Sequence, residues 1–356
     1  MTDPHDESRA RPVAQVPSRL LSGGVDFCDY IRLMERTEGG GEDWVAVCEQ
    51  LGDAAWQHAA AALGDGHTLT AWRFYRNAEA VYRVGQYGIT ELTEEKLRLY
   101  RKLVDAFGRA AALADPPLEE VNIPYRGFNM HGWIQLPKQL RPNNPVVIVI
   151  PGATGFKEET AAEAQLMVDR GLAVLNIDGP GQGVTCYFNH GYLEVEIERA
   201  YSVMADWLEA DPRFGKIAIS GRSTGGYYVP RAAATDPRIA ACVVNGGSYY
   251  PEEILKVRPW YLHKFAILFG SDDETMRATF PRMTLEGLAE RIECPLLIVH
   301  GEQDPIFTVA GVQRLHDEAR STDKVIRIYP GAGHCANGSE TEAYNGMADW
   351  LADRLL

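Results

Sequence analysis

Three side chains in the order Ser223, Asp304, His334 offer this sequence its chemistry. Ser223 lies in Gly221-Arg222-Ser223-Thr224-Gly225, after the apolar run Lys216–Ser220 and before a small-residue, helix-compatible segment. A serine at a strand–tight turn–helix junction is pushed out of the backbone as a nucleophile, and the flanking glycines permit the sharp turn. A glycine-rich turn with a passive serine would have the same five residues. The catalytic reading therefore requires a base, an acid and an anion hole elsewhere in the chain. Of the nine histidines, only His334 follows a final apolar strand, Val325–Tyr329, and sits among turn residues in Pro330-Gly331-Ala332-Gly333-His334. Neutral imidazole there would take the serine proton. The run Cys294–Val299 leads into His300-Gly301-Glu302-Gln303-Asp304, which places Asp304 to orient the imidazole; Glu302 is the rival, nearer the strand end. An anion hole needs two backbone N–H groups. Thr224, next after the nucleophile, is the first candidate. Ala153 in Pro151-Gly152-Ala153-Thr154-Gly155 is the second, with Thr154 as fallback.

These residues need a frame. From about residue 118, continuous apolar runs alternate with helical segments: a hairpin over 121–125 and 130–136, then 145–150, 173–177, 217–220, 239–244, 296–299 and 325–329. Such runs separated by helices predict an α/β fold, a mostly parallel eight-stranded sheet covered by helices on both faces. Residues 21–117 read as a helical domain. Thr93 is placed as an N-cap with Glu94 and Glu95 in the first turn, and Leu97, Tyr100, Val104, Phe107 and Ala111 mark one apolar face. Residues 1–20 are polar and proline-bearing and read as a disordered leader; 118–356 form the catalytic domain, with a helical, lid-like insertion at about 248–291. The turn Asp178–Gly183 is glycine-rich but has neither phosphate-loop nor dinucleotide spacing, and reads as a turn at the pocket edge.

Composition narrows the class. The chain has 356 residues, 46% of them hydrophobic, and a net charge of −14. That balance argues against nucleic acid or an anionic membrane as partner. The six cysteines are scattered without zinc spacing, so free thiols in a cytoplasmic protein are expected, and no metal or organic cofactor is implied. Serine rather than aspartate in the elbow disfavours dehalogenase and epoxide chemistry.

The order serine–acid–histidine is that of α/β-hydrolases. Gly221–Gly226, the Asp178-Gly179-Pro180-Gly181-Gln182-Gly183 turn, Lys157-Glu158-Glu159 and Met347-Ala348-Asp349-Trp350-Leu351 resemble the group of 2,6-dihydroxypseudooxynicotine hydrolase and the polyketide-shortening hydrolases of fungal pigment pathways. The resemblance implies an N-terminal helical cap, a homodimer, Ser223, Asp304 and His334 as the triad, and cleavage of a carbon–carbon bond beside a ketone in a small-molecule substrate. It also implies an acidic residue after the sixth strand, for which Glu252 and Glu253 are candidates against a plain solvated glutamate pair. In the cap, Tyr75 and Arg76 are candidates for lining an aromatic or polyketide-like pocket, against core packing between helices. Arg222 either touches substrate or pairs with a carboxylate. Two other outcomes share the same residues: acyl transfer or cyclisation from the acyl-enzyme, and a ligand-binding receptor on a hydrolase scaffold.

Overall fold

The computed structural model of the chain describes residues 17–356. It divides into two compact units at Leu118/Glu119. The first is helical, as the sequence predicts. Helices Trp44–Gly64, Thr68–Tyr87 and Glu94–Leu113 dominate it. Thr93 caps the third, its hydroxyl accepting from Lys96 N. Of the expected face, Tyr100, Phe107 and Ala111 are buried, together with Leu99, Leu103, Ala106 and Ala110, while Leu97 and Val104 are half-buried. The buried arc thus includes most of the expected stripe and extends beyond it. Most of the expected leader lies outside the described residues; its end, Pro17–Ser22, is a short helix with Leu20 buried.

The second unit carries the sheet. Its strands are β1 (Glu119–Tyr125), β2 (Phe128–Gln135), β3 (Asn144–Ile150), β4 (Ala173–Asp178), β5 (Phe214–Arg222), β6 (Ile239–Asn245), β7 (Leu296–Gly301) and β8 (Lys324–Tyr329). Their spatial order is β1-β2-β4-β3-β5-β6-β7-β8. β2 pairs antiparallel with β1 and β4, and every other pairing is parallel. This is the α/β-hydrolase fold. The continuous apolar runs are explained by burial on both sides: Val146, Ile148 and Ile150 join one core cluster, Val147 and Val149 the other. Parallel strands all present their carboxyl ends at one edge. The loops leaving β3, β5, β7 and β8 therefore meet there.

The 248–291 segment is helical, chiefly Tyr261–Phe269 and Asp273–Thr279. Leu262, Phe265, Leu268, Met276 and Phe280 belong to the same core cluster as β3 and β5. These helices are thus built into the second unit through a large apolar face. Among the described residues, no helix is long and apolar enough to cross a membrane.

Candidate active site

β5 delivers the chain to the elbow, and helix Gly225–Thr235 takes it away. Between them Ser223 has φ 57°. A non-glycine residue rarely holds this left-handed conformation, which costs on the order of 1–3 kcal/mol and is kept only where surrounding structure imposes it. Here Ser223 N donates to Asn245 O at 2.8 Å, tying the turn to the end of β6. A methyl on Gly221 would overlap Gly225 O and lie 2.8 Å from Val229 Cγ1, so the elbow's first glycine is demanded by packing.

The loops after β7 and β8 bring the acid and the histidine to this serine. His334 Nε2 is 2.8 Å from Ser223 Oγ, and His334 Nδ1 is 2.8 Å from Asp304 Oδ2. The second Asp304 oxygen, Oδ1, accepts from Ile306 N at 2.8 Å and Phe307 N at 3.1 Å, which fixes the carboxylate. With Nδ1–H donating to the acid, Nε2 has its lone pair toward the hydroxyl. Burial raises the Asp304 pKa, but the His334 and His300 imidazoles outweigh it and hold the carboxyl below its usual range. Burial lowers the His334 pKa, and the Cys335 sulfur and Asp304 outweigh that in turn and push it well above the ordinary imidazole value. Glu302, the rival acid, instead accepts from Gly331 N at 3.0 Å and braces the turn before His334.

The loop after β3 reaches the same place. A Cβ on Gly152 would lie 2.8 Å from Ser223 Cβ and 3.2 Å from its Oγ. Neither Thr224 N nor Ala153 N is spent on another backbone oxygen among the described residues. Two buried groups brace this loop, and sequence reading missed both. Gln182 Nε2 donates to Pro151 O at 2.5 Å while its Oε1 accepts from Gly179 N at 2.9 Å. Asp178 accepts from Lys157 N at 3.0 Å and from Lys157 Nζ at 2.8 Å. The Asp178–Gly183 turn therefore supports the loop after β3 as well as edging the pocket.

His300 is a further residue that sequence reading missed. It is fully buried at the end of β7; its Nε2–H donates to Phe307 O at 3.1 Å and lies 3.6 Å from Asp304 Oδ2. The Phe307 ring in turn packs edge-on to His334, with centroids 5.7 Å apart. A histidine four residues before the acid, at an apolar strand end, was the only local signal. Cys335 has φ 57° directly after His334, and its Sγ points to Asn245 O at 3.6 Å.

The remaining candidate residues have the following neighbours, each within its own unit. The Arg222 side chain, 11% exposed, lies 3.8 Å from Glu159 Oε1 and over the Tyr344 ring at 5.9 Å, so it pairs with a buried carboxylate between two helices. Glu253 Oε2 accepts from Thr308 N at 3.0 Å, at the start of helix Val309–Glu318, and Glu252 is exposed. A carboxylate at a helix N-terminus satisfies donors the helix itself cannot. Tyr75 packs edge-on against Trp56 at 5.0 Å, and Arg76 lies 4.9 Å over the Phe107 ring and 3.4 Å from Glu79 Oε2. Both are held by packing within the helical unit.

Residues 130–354 match the family described as the dienelactone hydrolase family. The 2,6-dihydropseudooxynicotine hydrolase of Paenarthrobacter nicotinovorans is 27% identical over 346 residues, covering 95% of this chain and 91% of that protein. A solved structure of 2,6-dihydroxy-pseudo-oxynicotine hydrolase superposes with TM-score 0.87 at 25% identity over 95% of each chain. The α/β hydrolase xenA of Xenoacremonium sinensis is 32% identical over 240 residues, 62% of this chain and 55% of that protein, so the match spans about half of the fungal relative.

Proposed function

We propose, from the premise that the chain belongs to the dienelactone hydrolase family, that it is a serine hydrolase acting on a carbonyl of a small or medium metabolite. The observation that carries this reading is the continuous relay Ser223 Oγ–His334–Asp304, 2.8 Å at both links, on a strained elbow. Ser223 Oγ attacks the carbonyl carbon as its proton passes to His334 Nε2. Asp304 keeps the imidazole oriented and stabilises the imidazolium. The developing oxyanion is held by the N–H groups of Thr224 and Ala153. Collapse breaks the bond to the leaving group, which takes the proton from His334, and water then releases the acyl group by the same steps in reverse order. An ester leaves as an alcohol. A carbon–carbon bond can break in the same way if the departing carbon is stabilised, as in an enolate beside a ketone. The two pseudooxynicotine hydrolase matches along nearly the whole chain favour this second substrate class.

Labelling with a fluorophosphonate followed by peptide mass spectrometry tests the reading. The adduct is expected on Ser223, and its absence from the folded protein would sink the assignment.

The electrostatics add a pH prediction. The base form of His334 is neutral, so activity grows as pH passes upward through its pKa. Since Cys335 and Asp304 raise that pKa, the acid limb of kcat/KM is expected above the ordinary value of about 6.5. Cys335→Ala removes one raising neighbour and should move the limb to lower pH. A pH–rate profile with p-nitrophenyl acetate checks both, and an unmoved limb in the variant rules out the sulfur as its cause.

A further inference from the structure

Lys264 lies on the helix Tyr261–Phe269 and is 6% exposed. A lysine so enclosed normally has a carboxylate beside it. Lys157 follows the rule, with Asp178 and Glu158 at 2.8 and 2.7 Å. Lys264 breaks it. Its Nζ donates to Tyr187 Oη at 3.0 Å, and the Tyr187 ring centre lies 5.5 Å away. Among the described residues no carboxylate is within ion-pair distance of it. The other titratable groups near it are the Cys186 thiol and the Tyr261 phenol. An ammonium has three donors and one is used. Burying such a charge without an anion costs several kcal/mol.

The position of Lys264 gives that cost a use. Tyr187 packs edge-on against Phe156, with ring centroids 6.1 Å apart. Phe156 directly follows the loop that carries Gly152 and Ala153, and Gly152 touches Ser223. The unpaired ammonium is therefore coupled through two packed rings to the loop beside the nucleophile.

We infer that Lys264 is a subsite for an organic oxyanion on the substrate, an ionised enol or a carboxylate remote from the carbonyl that Ser223 attacks. The inference rests on Ser223 marking the site. The ligand's charge replaces the missing carboxylate, and the remaining N–H donors of Nζ bind it. A neutral analogue of the same shape would leave the ammonium buried and unpaired, so the subsite selects for charge. Glu252 and Glu253 cannot supply this selectivity, since one is exposed and the other is spent on Thr308 N.

Calorimetric binding to the full-length Ser223→Ala protein tests this without turnover. Two matched pairs serve as probes: triacetic acid lactone, an acidic enol, against its methyl ether, and sorbate against methyl sorbate. The anion of one pair is expected to bind roughly 10- to 100-fold tighter than its neutral partner, the range of one charge-assisted hydrogen bond. Adding Lys264→Met should bring that ratio to about one, and Lys264→Gln serves if the methionine variant does not fold. The pair that shows the Lys264-dependent ratio identifies the source of the oxyanion. Ratios near one in both pairs, or a ratio that survives loss of the lysine, overturn the inference. Retention of turnover by Ser223→Ala would overturn the serine-hydrolase reading instead, so the two failures are distinguishable.

Discussion

Ser223→Ala is expected to lower kcat by about 10,000- to 1,000,000-fold, equivalent to about 5–8 kcal/mol of lost transition-state stabilisation. In the proposed mechanism the hydroxyl is the group that forms the acyl-enzyme, and nothing else in the relay can replace it. His334 and Asp304 would stay hydrogen-bonded to each other, and the N–H groups of Thr224 and Ala153 would still face a bound carbonyl. A small residual rate by direct attack of water is therefore expected, of the kind triad deletions leave behind. The fold should survive, because Ser223 N keeps its bond to Asn245 O whatever the side chain. Steady-state rates with p-nitrophenyl acetate, alongside a thermal melt, measure both. A variant within tenfold of wild type would remove covalent catalysis from the account.

Gly301→Ala should be the most damaging small substitution outside the triad. A methyl on Gly301 would overlap Gly333 O and stand 2.5 Å from Ala332 O. Both atoms are backbone in the turn that presents His334, and that turn is stitched to the acid loop by Gln303 N to Ala332 O at 2.9 Å and Glu302 N to Tyr329 O at 3.0 Å. The clash cannot be relieved by a rotamer change. The histidine turn must move away from the Asp304 loop or the β7–β8 edge must part. Overpacking of this kind costs about 1–3 kcal/mol or more. A displacement of about 1 Å in a catalytic group can cost about 100-fold in rate. Urea denaturation and kcat per folded molecule separate the two effects. Lost stability with full activity per folded molecule would show that this contact does not position His334.

The N-terminal helices, the eight strands and the order of the reactive residues are all visible along the chain, because each is a local pattern. Thr93 reads as a cap since hydroxyl and first-turn acids lie within three residues. The continuous run Pro145–Ile150 reads as a fully buried strand since both of its faces are apolar. Where strands lie relative to one another is a different matter. β2 runs antiparallel between β1 and β4, and β4 precedes β3 in the sheet; no spacing encodes that, since it depends on which crossovers pack.

Side-chain destinations show the same limit. Arg222 adjoins Ser223 in sequence, yet its guanidinium goes to Glu159 and Tyr344, because successive residues at a sharp turn point to different sides. Glu253 ends at Thr308, 55 residues away, where a helix start needs an acceptor. Gln182 lay in the Asp178–Gly183 turn with no sign of the loop it braces, and His300 and Lys264 carried no motif, for these contacts come from loops and helices that meet only once the chain is folded.

Residue order alone specifies the candidate chemistry: a serine on an elbow, followed at the required strand ends by an acid and a histidine. Reaction type follows residue type and local backbone, both written in the order of the chain. Folding in three dimensions set the relay's 2.8 Å links, the clamp on the loop after β3, and the burial of Lys264 with no carboxylate beside it among the described residues. Distance and desolvation belong to contacts between distant segments, and a buried charge acquires its meaning from the partners the fold withholds.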